Sequence, residues 1–139
     1  MTDGTGTQAQ VTVLIVEDRV LLRRTMCDLL QDAFPDCIFL DVADGVSALH
    51  ACKVYRPHLV LMDKCLPDAD GIELTGRLRK LYPAIQVIVI SYRSGEIYVQ
   101  RALAAGARVY LVKDNLTADL VPEVAAAIGV APAALSGTC

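Results

Sequence analysis

Between residues 11 and 129, short apolar runs alternate with longer amphipathic stretches five times. Residues 11–16 are apolar and β-branched and end on Glu17-Asp18, which reads as a strand. Leu22, Met26, Leu29, Leu30 and Ala33 then recur at i, i+4, i+7, i+8 and i+11, one face of a helix that Pro35 closes. Residues 37–40 form a short second run. Asp44-Gly45 opens a helix carrying Ala48, Leu49, Cys52 and Tyr55, with Pro57 beyond its end. The third run, Leu59, Val60, Leu61 and Met62, stops abruptly on Asp63, and Pro67 and Asp70-Gly71 follow. Asp70 with Glu73 has capping-box spacing, and the helix behind it is expected to bury Leu74, Leu78 and Leu81 before Pro83. Residues 87–90 end on Ser91. A helix from Ser94 or Gly95 reaches Ala105, with Gly106 as its C-terminal cap. Residues 108–112 end on Lys113, and Leu120, Val124 and Ile128 mark a last helix. Pro122 lacks an amide hydrogen and its ring clashes with the carbonyl four residues back, so that helix is expected to begin at or after Asp119 or to bend at Pro122.

Strict strand–helix alternation requires a parallel sheet with right-handed crossovers. Uniformly apolar strands need helices on both faces, and five units cannot close an eight-stranded barrel. The expected fold class is α/β: a doubly wound five-stranded parallel sheet with five helices in three layers. The polar residues 1–10 read as a disordered leader, 11–129 as one domain, and the small-residue stretch 130–139 as a flexible tail. Lys53, Arg77, Arg79, Lys80 and Arg101 are expected on solvated helix faces.

Composition narrows the function. The net charge is −3, so no electrostatic footprint for nucleic acid is present. No apolar run approaches the roughly 18 residues of a membrane span, and the leader lacks the basic and apolar regions of a signal peptide. The five cysteines, Cys27, Cys37, Cys52, Cys65 and Cys139, are odd in number, scattered and without a CxxC pair. They point to a reducing cytoplasm and to small buried hydrophobes. His50 and His58 have no partner at metal-ligand spacing. Phosphate-loop and nucleophile-elbow motifs are absent, and Gly4-Thr5-Gly6 precedes a strand instead of following one.

Polar groups end four of the five strands: Glu17 and Asp18, Asp63, Ser91 and Lys113. In a parallel sheet these ends share one edge, where ligands bind. Three converging carboxylates repel one another and invite a divalent cation such as Mg²⁺, which takes one or two carboxylates and leaves room for phosphate oxygens. A Lys and a Ser facing the same point suit a phosphoryl group. The set therefore fits a carboxylate nucleophile that becomes an acyl phosphate.

With these residues placed, the chain resembles the response-regulator receiver domains of bacterial two-component signalling over roughly residues 11–129. The likeness rests on the Asp-x-x-x-Pro-x-x-Asp-Gly spacing of Asp63, Pro67, Asp70 and Gly71, on Glu17-Asp18, on Ser91, and on Tyr110 three before Lys113. The run from Ala105-Gly106-Ala107 to Tyr110-Leu111-Val112-Lys113-Asp114 is similar to the NarL/LuxR-like subfamily. The resemblance implies a flavodoxin-like strand order 2-1-3-4-5. It implies that Asp63 accepts a phosphoryl group from a sensor histidine kinase or a phosphotransfer protein. It implies Mg²⁺ (or Mn²⁺) held by Asp18, Asp63 and the backbone carbonyl of Cys65, with Glu17 acting through water. Ser91 and Lys113 are implied to bind phosphoryl oxygens, and Ser91 and Tyr110 to form the switch. The face of the fourth helix, fifth strand and fifth helix is implied as the output surface, able to pair two copies. Such a domain is a phosphoacceptor that assists its own phosphorylation and dephosphorylation, not an enzyme. The chain departs from the pattern at Arg19, after the acidic pair, and at Tyr92, after Ser91. Arg19 is expected to point outward or to compete with the cation, and Tyr92 to hinder water or a phosphodonor. The two are the candidate modulators of access to Asp63.

Four functions compete. The chain is a single-domain receiver, the receiver part of a DNA-binding transcriptional regulator whose output domain is absent, a phosphorylation-independent interaction module blocked by Arg19 and Tyr92, or a small flavodoxin-like enzyme. The ten residues after Gly129 cannot make a helix-turn-helix, so this chain alone is expected not to bind nucleic acid, and without a membrane-length apolar run it is expected not to enter a membrane.

Overall fold

The computed structural model describes residues 10–133. Most of the leader and the end of the tail therefore lie outside the described residues. Five strands, β1 (Thr12–Val16), β2 (Ile38–Val42), β3 (Leu59–Asp63), β4 (Gln86–Ser91) and β5 (Val109–Val112), alternate with five helices. The helices are α1 (Val20–Ala33), α2 (Gly45–Tyr55), α3 (Gly71–Leu81), α4 (Glu96–Ala105) and α5 (Leu116–Ile128). All pairings are parallel and the sheet order is β2-β1-β3-β4-β5, as the resemblance implies.

Strand side chains alternate between faces, and this divides the interior into two cores. Leu14, Val16, Val60, Met62, Val87 and Val89 pack with Ala48 and Cys52 of α2, Leu74 and Leu78 of α3, and Ala102 of α4. Val13, Ile15, Leu59, Leu61, Ile88 and Ile90 pack with Met26 and Leu30 of α1 and Leu116, Leu120 and Val124 of α5. Every residue of β3 is buried, because it is central and covered on both faces.

Several expectations need correction. The second strand runs to Val42 and excludes Cys37, which is buried just before it. It is an edge strand paired only with β1, so its exposed Asp41 interrupts the apolar pattern without ending the ladder. Leu81 and Tyr55 are exposed, since each lies in the last turn of its helix, where the apolar face has rotated off the sheet. Asp70 accepts from the amide of Ile72 at 2.8 Å, and among the described residues Glu73 returns no capping bond. Arg79 is half-buried and donates to the carbonyls of Pro83 and Ile85 instead of lying on a solvated face. Cys65 is exposed, unlike Cys37 and Cys52. Finally, α5 starts at Leu116, three residues before Asp119, with Pro122 inside it. A 3-10 turn, Lys113–Asn115, leads directly in, and burial of Leu116 and Leu120 holds the first turns down. Ala118, whose carbonyl loses the Pro122 donor, is exposed, so water can satisfy that carbonyl.

Candidate functional site

Sheet register brings the predicted residues together. Asp63 is level with Ile90, and Ser91 with Val112, so β3, β4 and β5 end side by side. The Glu17 amide donates to the Val42 carbonyl at 3.1 Å just past the end of β1, and Lys113 follows β5 directly. Glu17, Asp63 and Ser91 are all buried.

Lys113 Nζ sits 2.8 Å from Glu17 Oε1 and 3.1 Å from Asp63 Oδ1, with all three side chains at most 5% exposed. Burial and then the Glu17 charge push the Asp63 carboxyl up from 3.8 to about 6, against the pull of Lys113. Burial lowers the Lys113 ammonium, but its hydrogen bond to Glu17 and the Asp63 charge outweigh that, and it stays above its ordinary value. The site therefore holds a fixed cation facing a carboxylate that burial makes more basic, a suitable nucleophile.

Carboxylate oxygens of Glu17, Asp18 and Asp63 lie within 4.8 Å of one another. Three hard oxygen donors, one of them on the exposed Asp18, fit a divalent cation such as Mg²⁺ entering from solvent. Both Glu17 oxygens are engaged, Oε1 by Lys113 and Oε2 by the Arg19 amide at 3.0 Å. Glu17 thus suits contact through water better than direct ligation. The Cys65 amide donates to Asp63 Oδ1 at 3.3 Å, while its carbonyl accepts no hydrogen bond among the described residues and is free to serve as a ligand.

Gly71 shows why the Asp-Gly pair is there. A Cβ on Gly71 would fall 2.1 Å from the Asp63 carbonyl oxygen and 2.8 Å from Lys64 Cα. The start of α3 can approach the end of β3 only without a side chain.

Ser91 Oγ accepts from the Arg93 amide at 3.0 Å, which leaves its hydroxyl hydrogen to donate. The Arg93 carbonyl in turn accepts from the Tyr110 hydroxyl at 2.6 Å. Ser91 and Tyr110 are therefore joined through one peptide segment. That link was missed in the sequence because it uses the backbone of Arg93. The signal available was a Ser two residues before a loop amide, the spacing of a Ser/Thr turn. Asp68 was missed as well. Its two oxygens accept from the amides of Gly45 and Val46 at 2.7 and 3.0 Å, tying the loop after Asp63 to the N-terminus of α2.

Arg19 is exposed and leans over the cleft. Its guanidinium reaches the Tyr92 hydroxyl at 3.5 Å and lies 5.1 Å from the ring centre, with Lys113 Nζ 4.8 Å from the same ring. Both residues line the cleft that holds Asp18, Asp63, Cys65, Ser91, Arg93 and Lys113.

An acidic cluster, a hydroxyl and a buried lysine at the carboxyl edge of a five-stranded doubly wound sheet can take a divalent cation together with a phosphoryl group. Residues 13–125 match the family described as response regulator receiver domain, and the chain belongs to it. It is a receiver domain of two-component response regulators. It is 31% identical over 118 residues to the transcriptional regulatory protein PdtaR of Mycobacterium tuberculosis, covering 84% of this chain and 56% of that one. Among solved structures, it resembles the receiver domain of the putative response regulator NarL of M. tuberculosis (TM-score 0.76, 27% identity, 86% of this chain and 98% of that one). It also resembles the CheX–CheY–BeF₃–Mg²⁺ complex of Borrelia burgdorferi (TM-score 0.77, 26% identity, 85% and 89%). The chain spans about half the length of the curated relatives it matches first.

Proposed function

We propose that Asp63 is the phosphoacceptor of this receiver. A carboxylate oxygen of Asp63 attacks the phosphorus of a phosphohistidine on a sensor kinase or phosphotransfer protein. The phosphorus–nitrogen bond breaks with its electrons going to the imidazole, which takes a proton from solvent, and Asp63 becomes an acyl phosphate. The observation that carries this reading is the buried Lys113 ammonium bridging Glu17 and Asp63.

The fit of the acidic cluster supports Mg²⁺ or Mn²⁺ held by Asp18, Asp63 and the Cys65 carbonyl, with Glu17 through water. When bound, the ion supplies charge neutralisation for the phosphoryl oxygens. Lys113 already stands beside Asp63 and pairs with the transferred group, and Ser91 donates its hydroxyl to it. Because Ser91 Oγ holds the Arg93 amide and Tyr110 holds the Arg93 carbonyl, a shift of Ser91 is passed to Tyr110. That would change the face built by α4, β5 and α5, which we propose as the output surface and as the seat of a homodimer. On this reading the domain is a phosphoacceptor that assists its own chemistry and not a separate enzyme.

The odd number and scatter of the cysteines support placing the domain in a reducing cytoplasm. No helix of the described residues is long and apolar enough to cross a membrane. The second reading, the receiver part of a longer transcriptional regulator, is favoured by the 56% coverage of its PdtaR relative.

Intact mass after incubation with a small phosphodonor tests the assignment. The parent should gain one phosphoryl group with Mg²⁺ and none with chelator, and Asp63→Asn should gain none. Equal labelling of Asp63→Asn would remove Asp63 from the role.

A further inference from the structure

We propose that Arg19 and Tyr92 form a latch across the mouth of the cleft that slows the attack of water on phosphorylated Asp63. The inference rests on the phosphoacceptor reading above.

Strand order carries the geometry. Arg19 leaves the end of β1 and Tyr92 the end of β4. In the sheet β3 lies between those two strands, so a contact from one loop to the other passes over the end of β3, where Asp63 stands. That contact exists: the Arg19 guanidinium is 5.1 Å from the Tyr92 ring centre and 3.5 Å from its hydroxyl. Lys113 Nζ, held between Glu17 and Asp63, is 4.8 Å from the same ring. The ring thus has two cations against it, although its residue is half exposed, at 50%. A single surface aromatic would swing freely, whereas one engaged by two cations stays in place. The Arg19 backbone is itself anchored, its amide donating to Glu17 Oε2.

The step affected is hydrolysis. The oxygen of water bonds to phosphorus as the bond between phosphorus and the Asp63 carboxylate oxygen breaks. Asp63 leaves with the electron pair as a carboxylate, and both protons of the water depart on inorganic phosphate. Water must approach opposite the leaving oxygen, and a fixed ring and guanidinium over the cleft narrow that approach. Lys113 is shared between the ring and the phosphoryl site, so the latch and the charge that stabilises the acyl phosphate lie in one stack.

The test is the first-order loss of phosphate from the isolated phosphoprotein in one Mg²⁺ buffer. The proteins compared are the parent, Tyr92→Ala, Tyr92→Phe, Arg19→Ala and the double variant Arg19→Ala/Tyr92→Ala. Arg24→Ala, on the exposed side of α1, controls for the loss of one positive charge. Tyr92→Ala and Arg19→Ala should each shorten the phosphoprotein lifetime by a few-fold to about tenfold, the scale expected of one partly screened contact in a barrier. The double variant should be no faster than the faster single, because the two residues act as a unit. Tyr92→Phe keeps the ring and should stay near the parent, as should Arg24→Ala. Parental rates in both Ala variants, or a double variant whose acceleration is the product of the singles, would overturn the latch. Should Tyr92→Ala not fold, Tyr92→Leu, which removes the cation–ring contact and keeps bulk, takes its place with the same criteria. If the parent takes up no phosphate at all, the phosphoacceptor reading fails, and that result is distinct from a labelled parent with unaltered variant rates.

Discussion

The ammonium of Lys113 donates to the carboxylate of Glu17 at 2.8 Å, with both side chains almost wholly buried. Lys113 is therefore anchored by Glu17 before any phosphate arrives, and it is the only buried cation beside Glu17 and Asp63 among the described residues. Removing one partner of a buried ion pair leaves an uncompensated charge and costs about 3 kcal/mol or more. Lys113→Ala should accordingly lower the melting temperature in chelator, and Mg²⁺ should raise the variant's melting temperature more than the parent's, because the ion then replaces the missing charge. Thermal melts of both proteins with and without Mg²⁺ check this, and an unchanged melting temperature in chelator would contradict it.

Asp63 itself works against folding at neutral pH. Its folded carboxyl is raised from 3.8 to about 6, first by burial and then by Glu17. The folded state binds that proton more tightly than the unfolded chain, so the penalty is absent below 3.8 and complete above about 6. After allowance for solvent in the open cleft, Asp63→Asn in chelator should be more stable than the parent by on the order of 1–2 kcal/mol at neutral pH. The gap should close as pH falls through that window. Urea melts across pH measure it, and a variant less stable than the parent at neutral pH would show that Lys113 outweighs burial.

Gly71→Ala tests the packing of α3 on the end of β3. Its Cβ would meet the Asp63 carbonyl oxygen at 2.1 Å, which is backbone that cannot yield as a flexible side chain can. The expected cost is about 3 kcal/mol or more, the upper range for overpacking. Folded variant should also label poorly, because relief of the clash displaces Asp63. Parental stability in a urea melt would contradict the close approach.

Asp68 ties the loop after Asp63 to α2, and its two amide bonds, to Gly45 and then Val46, hold its carboxyl below the ordinary value. A depressed acid contributes stability above its unfolded value and loses it as pH falls through the folded one. Asp68→Asn should therefore melt below the parent at neutral pH, with the difference shrinking in acid. Hydrogen exchange at Gly45 and Val46 should accelerate in the variant. Unaltered exchange there would mean the cap does not hold α2 in solution.

The strands and the site were legible in the sequence for one reason. A parallel sheet forces the carboxyl ends of all its strands to one edge, so Glu17, Asp63, Ser91 and Lys113 could be gathered from strand ends alone. What stayed hidden depends on tertiary placement. Arg19 is a long side chain, and its direction follows from β1 and β4 flanking β3, which no local pattern encodes. Arg93 acts through its backbone, so its residue type carries no sign of the link between Ser91 and Tyr110. Leu81 keeps the helical period yet is 58% exposed, because the last turn of α3 has left the sheet. Pro122 breaks a local rule but sits on the exposed side of α5, where the lost hydrogen bond costs least.

The central claim is that the phosphoryl group resides on Asp63, and locating it covalently tests that most directly. Borohydride reduces an aspartyl phosphate to homoserine, so the phosphorylated protein should be reduced, digested and mapped by peptide mass. Homoserine should appear at residue 63 in the Mg²⁺-treated parent and nowhere in the chelator control. Homoserine at Asp18 or another carboxylate, or a phosphorylated protein with unmodified Asp63, would contradict the account.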